Sequence, residues 1–116
     1  MDQRALFPHQ AKMFVEKNGF ILVAREQNSA FMAERGMTMD DLRRVILALE
    51  PKDMFDGPEP DRDPRYSEKW TVAEFSPEYD GETLYLKLSI RVDVERCKCL
   101  SVKLYVDRQE AGEWAL

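Results

Sequence analysis

The clearest pattern in the chain is an alternation of apolar and polar residues between residues 84 and 106. Aliphatic side chains occupy even positions: Leu84, Leu86, Leu88, Ile90, Val92, Leu100, Val102, Leu104 and Val106. The odd positions carry Tyr85, Lys87, Ser89, Arg91, Cys99, Ser101, Lys103 and Tyr105. Because neighbouring side chains of a strand point to opposite faces, this pattern predicts two strands with one apolar and one polar face. The charged segment 93–96 predicts the turn between them.

The segments before residue 51 have helical patterns. The first, from Leu6 to a stop at Gly19, predicts a short amphipathic helix. The apolar run 20–25 is too short for its periodicity to distinguish a strand from a helix entry. A second helix is predicted to begin at Asn28 or Ser29 and to end at Gly36.

The third helical segment, "TMDDLRRVILALEP", has the strongest pattern. Thr38 is an expected N-cap with Asp41 as its capping-box partner, and Pro51 marks the end of the segment. Apolar residues at the i, i+3, i+4 and i+7 spacing define one face: Leu42, Val45, Ile46 and Leu49.

Residues 52–69 are rich in Pro, Asp and Gly and predict a long loop, which is a weak indication of a binding or lid segment. Residues 70–75 ("WTVAEF") then predict a strand, and 76–82 a turn with Gly81 at its tip. The order predicts an α+β domain, with short N-terminal helices packed on one face of a small antiparallel sheet.

With 116 residues and 44% hydrophobic content, the chain is expected to form a single domain, 1–116. The net charge of -5 argues against a protein that coats nucleic acid through bulk charge. Residues 83–106 nevertheless contain five basic and two acidic residues, so positive charge collects on the predicted hairpin. No apolar run is long enough for a membrane helix and no signal peptide is recognisable, so we expect a cytoplasmic protein with no membrane partner.

Metal and disulfide chemistry are not expected. Cys97 and Cys99 are two residues apart on one predicted strand, where they share a face but are poorly placed to bridge each other. His9 is the single histidine. The acidic residues of 53–63 lack the spacing of a calcium loop and predict a solvated loop. We therefore expect no metal and no cofactor.

The polar face of the hairpin carries the candidate chemistry. Two registers are compatible with the alternation: Tyr85 lies opposite either Lys103 or Tyr105, and Lys87 opposite either Ser101 or Lys103. In both, Tyr85, Lys87 and Lys103 are direct or diagonal neighbours. Cleavage of RNA by its ribose 2′-OH needs a base, an acid and positive charge on the phosphate, and Lys and Tyr can serve these roles if a basic site lowers their pKa values. A solvated sheet face without function is the alternative.

The chain resembles the motility quorum-sensing regulator (MqsR) family of toxins. The resemblance rests on "LRRVILALEPKDMFDGPEPDRDP", a Trp-containing strand, "LYLKLSI" and "LSVKLY", in order across roughly residues 36–105. It implies a RelE-like fold, a metal-independent mRNA endoribonuclease activity and a cognate antitoxin protein as partner. The family's catalytic tyrosine falls on Tyr85 and its final-strand lysine on Lys103. Two further family positions, a lysine and a glutamine, fall on Asp56 and Thr71.

Two hypotheses follow. In the first, the protein is a toxin endoribonuclease in which Tyr85, Lys103 and Lys87 are catalytic, while Arg91, Ser101 and Tyr105 bind RNA phosphates or stack on a base. In the second, it is a noncatalytic interaction or regulatory protein on the same fold, which binds a protein partner through its acidic loop. The Asp56 and Thr71 differences favour the second hypothesis.

Overall fold

The computed structural model describes residues 2–106 and has an α+β fold with three helices and a mixed six-stranded sheet. The elements follow one another as α1 Gln3–Asn18, β1 Ile21–Leu22, α2 Glu26–Arg35, α3 Met39–Leu47, β2 Met54–Pro60, β3 Thr71–Phe75, β4 Glu78–Tyr79, β5 Glu82–Arg91 and β6 Arg96–Leu104. Within the described residues, no helix combines the length and the apolar character needed to cross a membrane.

The sheet has the strand order β1-β6-β5-β3-β2, with β4 paired to β5. The pairs β3–β5 and β5–β6 are antiparallel, as predicted, and so is β2–β3, but β1 runs parallel to β6. The expectation of a purely antiparallel sheet was therefore wrong. Two helices and four strands separate β1 from β6, so no tight turn imposes an antiparallel direction on this pair.

The hydrophobic core lies between the helices and one face of the sheet. The even residues of β5, from Leu84 to Ile90, are buried, as the alternation predicted. They pack with buried residues of all three helices in one cluster, which includes Phe7, Phe14, Met32, Leu42 and Ile46. The polar face of the sheet is thus left on the side opposite the helices.

The predicted helices are present, with different starting points in two cases. α1 begins at Gln3, where Asp2 caps it, so it has 16 residues rather than forming a short helix from Leu6. α2 begins at Glu26, so Asn28 lies inside the helix and not at its cap. The capping box of Thr38 and Asp41 in α3 is confirmed, with bonds of 2.9 and 3.0 Å.

Part of the predicted loop is a strand. Residues Met54–Pro60 form β2, an edge strand that pairs with β3 through two register shifts. Prolines are tolerated on an edge strand because the outer backbone N–H groups need no partner. At Gly57, where φ is +91°, an added Cβ would lie 2.7 Å from the Val72 carbonyl oxygen. Glycine thus allows the two backbones to approach closely.

A bulge in β6 changes which side chains are buried. Lys87 pairs with Ser101, but the next residue of β5, Leu88, pairs with Cys99, so Leu100 has no partner. The extra residue reverses the face on which the preceding side chains lie. Cys97 and Cys99 are therefore in the core, whereas the alternation placed Cys99 on the polar face. Both are free thiols, as expected, and burial raises the pKa of each to about 12.

Candidate functional site

The central strands place Tyr85 directly opposite Lys103. This is the first of the two predicted registers, and it also sets Lys87 opposite Ser101. The Lys103 ammonium nitrogen lies 4.9 Å from the centre of the Tyr85 ring, a cation–π contact. The two side chains that the resemblance assigns to the active site are thus in contact on the polar face.

A third residue, Glu74 of β3, completes this group. The Tyr85 hydroxyl donates a hydrogen bond to Glu74 Oε1. Glu74 is paired with Lys87 in the ladder, so it reaches Tyr85 diagonally across β3 and β5. On the other side of Glu74, Asp56 of β2 is its ladder partner. Two carboxylates therefore lie beside the phenol.

The environment raises the pKa of Tyr85 well above its ordinary value. Burial is the largest cause, followed by the hydrogen bond to Glu74 and by the negative charges of Glu74 and Asp56. The sequence had suggested a crowded basic site, in which the pKa of a tyrosine falls. That expectation was wrong, because the phenol is partly buried and the strands β2 and β3 bring carboxylates to it. Tyr85 is thus a proton donor at neutral pH and not a base.

Aromatic residues surround an open concavity of about 630 Å³ in front of this group. Phe55 of β2 lies with its ring centre 6.0 Å from that of Tyr85 and 5.5 Å from that of Tyr105, which it meets edge-on. Phe55 is 42% exposed and Tyr105 is 36% exposed. Large aromatic faces open to solvent beside a cationic group can stack on nucleobases.

Lys87 and Ser101 lie next to this group, further along the strands. Lys87 lines a smaller polar concavity with Asp56, Glu74 and Arg62. Ser101 accepts a hydrogen bond of 3.3 Å from Arg25, the residue that precedes α2. The polar face therefore continues from the Tyr85 group across β5 and β6.

Arg91 is not part of this arrangement. It lies six residues from Tyr85 along β5, a distance of about 20 Å at the rise of a strand. Its guanidinium forms an ion pair of 2.8 Å with Asp93 in the following turn. Arg91 therefore lies apart from the Tyr85 group, and its assignment to RNA phosphate binding stays a prediction.

Aromatic side chains cover the far part of the polar face. Lys98, the ladder partner of Ser89, has its ammonium nitrogen 3.9 Å from the centre of the Trp70 ring and 4.8 Å from that of Tyr66. Ser89 is fully buried. The accessible part of the polar face is thus the half that contains Tyr85, Lys87 and Lys103.

Glu74 and Phe55 lie at the site although the sequence did not predict a role for either. Glu74 is the single charged residue of β3, which was a usable signal, but its diagonal contact with Tyr85 depends on the pairing of β3 with β5. Phe55 lies in β2, in a segment for which the sequence predicts a loop. Thr71, where the resemblance places the family's glutamine, pairs with Ile90 and does not line the concavity.

Among residues 2–106, no group of three or more histidine, cysteine or acidic side chains is arranged to hold a metal ion. Comparison of the chain with known protein families, with curated proteins and with solved structures gives no significant match.

Proposed function

We propose that the protein is an endoribonuclease of the toxin–antitoxin type that cleaves mRNA in the cytoplasm without a metal ion. The observation that carries the proposal is the contact of Tyr85 with both Glu74 and Lys103 on the accessible half of the polar face. These side chains are an acid, a base and a cation, the three groups that attack by the ribose 2′-OH requires. The sequence resemblance to MqsR toxins supports the same activity and a protein antitoxin as partner.

Each side chain has one role in the proposed reaction. Glu74 removes the proton from the 2′-OH, and O2′ then forms a bond to phosphorus while the P–O5′ bond breaks. Lys103 stabilises the negative charge on the non-bridging oxygens. Tyr85 donates its proton to O5′ as it leaves. The products are a 2′,3′-cyclic phosphate and a free 5′-hydroxyl.

The hydrogen bond between Tyr85 and Glu74 also allows the site to return to its starting protonation state. After the reaction Glu74 carries a proton and Tyr85 has lost one. Because the two groups are hydrogen-bonded in the free protein, the proton can pass directly from the carboxylic acid to the phenolate. The raised pKa of Tyr85 favours this transfer, since it strengthens the hold of the phenol on its proton.

The test is cleavage of a long labelled mRNA by the purified protein in excess EDTA, with and without ribosomes. We expect cuts that end in 2′,3′-cyclic phosphates, and a loss of at least about 100-fold in rate for Tyr85→Phe, Glu74→Gln and Lys103→Ala. Tyr66→Phe and Lys69→Ala are matched controls, because both residues are exposed and lie outside the concavity.

Two results would contradict the proposal. If folded wild-type protein leaves mRNA intact under every condition, the protein is not a nuclease, and a noncatalytic partner-binding role on this fold becomes the better account. If cleavage occurs but is equally fast in all three variants, the reaction takes place elsewhere or comes from a contaminant.

A further inference from the structure

Three cations line the accessible polar face without an acidic partner. Lys103 is in β6 and Lys87 is in β5, while Arg25 is the residue that precedes α2. None of them forms an ion pair within 4.0 Å in the described part of the chain, whereas eight other ion pairs do form there. Cations held on a sheet face without carboxylate partners are available to an anionic ligand.

Ser101 joins two of these cations. Its backbone pairs with that of Lys87, so the two side chains start about 5 Å apart on the same face. Its hydroxyl oxygen accepts the bond from Arg25. A serine oxygen that accepts from a guanidinium keeps its own O–H free to donate. Arg25 and Ser101 thus present N–H and O–H donors at one position, and the Lys87 side chain starts beside it.

The framework holds Arg25 in this place. The Arg25 backbone N–H donates to the Val23 carbonyl oxygen at 2.8 Å. One turn into α2, the buried Asn28 side chain bonds to the backbone of β6 on both sides of Ser101, at Leu100 and Val102. The start of α2 is therefore fixed against β6, so the Arg25 backbone needs no rearrangement when the side chain binds a ligand.

This position is distinct from that of the scissile phosphate. Lys87 lies two residues from Tyr85 along β5, or about 7 Å at the rise of a strand. The carboxylates of Asp56 and Glu74 lie on the β3 side of Lys87, while Arg25 and Ser101 lie on its β6 side. An anion is therefore favoured on the β6 side, next to Arg25.

We propose that Arg25, Ser101 and Lys87 form a second phosphate site, which binds the phosphate next to the scissile one in a single-stranded RNA. The inference rests on the proposed function, because it assigns the first phosphate to Lys103. A groove that follows the backbone of a single strand with successive cations is a common way to bind such substrates. An RNA strand that is held at two neighbouring phosphates has its scissile phosphate positioned beside Tyr85 and Lys103.

The test uses short 2′-O-methyl RNA oligonucleotides, which lack the attacking hydroxyl, and measures binding by fluorescence anisotropy between about 50 and 200 mM salt. We expect Arg25→Gln and Lys87→Gln each to weaken binding about tenfold. Each should also lower the slope of log K against log salt, and the double variant should lower it by about 0.7, the value for one phosphate contact on a single strand. Arg43→Gln on α3 is the matched control, because it removes one charge from the helical side.

Cleavage of unmodified RNA, measured in parallel, separates the two proposals. If the wild type binds the oligonucleotides with these effects but cleaves nothing, the second phosphate site stands and the nuclease proposal falls. If cleavage is confirmed but Arg25→Gln and Lys87→Gln bind as the Arg43→Gln control does, the second site is wrong and the nuclease proposal stands. If the wild type neither binds nor cleaves RNA, both are wrong.

Discussion

The Tyr85 hydroxyl donates a hydrogen bond to the Glu74 carboxylate across the β3–β5 ladder, although the two residues are not ladder partners. The contact holds the phenol protonated and points it at a base. Together with burial, which is the larger cause, it raises the pKa of a tyrosine that lies on a sheet face with several lysines. The predictions that concern the site start from this bond.

The ionisation of Tyr85 can be observed directly. An ordinary tyrosine, with a pKa of about 10, is largely ionised at about pH 11. Because burial and Glu74 raise the pKa of Tyr85, we expect the absorbance of tyrosinate at that pH to be nearly the same in wild-type protein and in Tyr85→Phe. In Glu74→Gln the pKa should fall, while burial should keep it above the ordinary value of about 10. A wild-type spectrum that exceeds that of Tyr85→Phe by one full tyrosinate would show that Tyr85 is not shifted.

This shift has a consequence for stability at high pH. Above the ordinary pKa of about 10, the unfolded chain releases the Tyr85 proton while the folded protein retains it, so the free energy of unfolding falls as the pH rises. Tyr85→Phe removes that contribution. The difference in stability between wild type and Tyr85→Phe should therefore change in the mutant's favour above pH 10, as measured by urea denaturation across the pH range. A difference that is constant with pH would contradict the linkage.

We expect Asp56 to weaken the proposed affinity of the site for phosphate. Its carboxylate lies beside Glu74 and is one of the charges that raise the pKa of Tyr85. Asp56→Asn should tighten binding of 2′-O-methyl RNA by about threefold to tenfold, an effect that high salt reduces. Asp40→Asn, at an exposed position of α3, is the control. If both variants tighten binding equally, the effect reflects net charge alone and not the position of Asp56.

Gly57 fixes the path of β2, which carries Phe55 and Asp56. An alanine there meets the Val72 carbonyl and the Ala73 backbone at 3.0 Å or less, in addition to the cost of a positive φ. Gly36 also has a positive φ, but its Cβ position is free. We expect Gly36→Ala to lower the free energy of unfolding by about 1 kcal/mol, and Gly57→Ala by more than about 2 kcal/mol. Equal losses in denaturant titrations would mean that β2 does not pack closely on β3.

The Asn28 side chain forms hydrogen bonds with the backbone of β6 that a neighbouring strand would otherwise form. It is 1% exposed, donates to the Val23 and Leu100 carbonyl oxygens and accepts from the Val102 N–H at 3.1 Å. Asn28→Ala leaves these buried backbone groups without partners and should lower the free energy of unfolding by about 2 to 4 kcal/mol. Ser29→Ala, at the exposed next residue, should change it by less than about 0.5 kcal/mol. A small loss for Asn28→Ala would show that water replaces the amide.

Local sequence was sufficient where neighbouring residues alone decide the structure. The capping box of α3, the Asp80–Gly81 turn with two positive φ angles, and the apolar face of β5 follow from patterns within about ten residues. The pairing of Tyr85 with Lys103 was one of two registers allowed by the alternation. A short turn leaves few choices of register, so the sequence came close to the observed pairing.

Other features depend on contacts that no local pattern contains. The prolines and glycine of β2 predict a loop, but the segment is a strand because its backbone pairs with the free edge of β3. The β6 bulge at Leu100 is defined by pairing with β5 and moves Cys99 into the core. Glu74 reaches Tyr85, and Arg25 reaches Ser101, only because the sheet brings distant segments together. The sequence by itself determined that Tyr85, Lys87, Ser101 and Lys103 share the polar face of the hairpin. The tertiary structure decided which groups from other strands and helices join them, since the energy of those contacts exists only once the sheet is assembled.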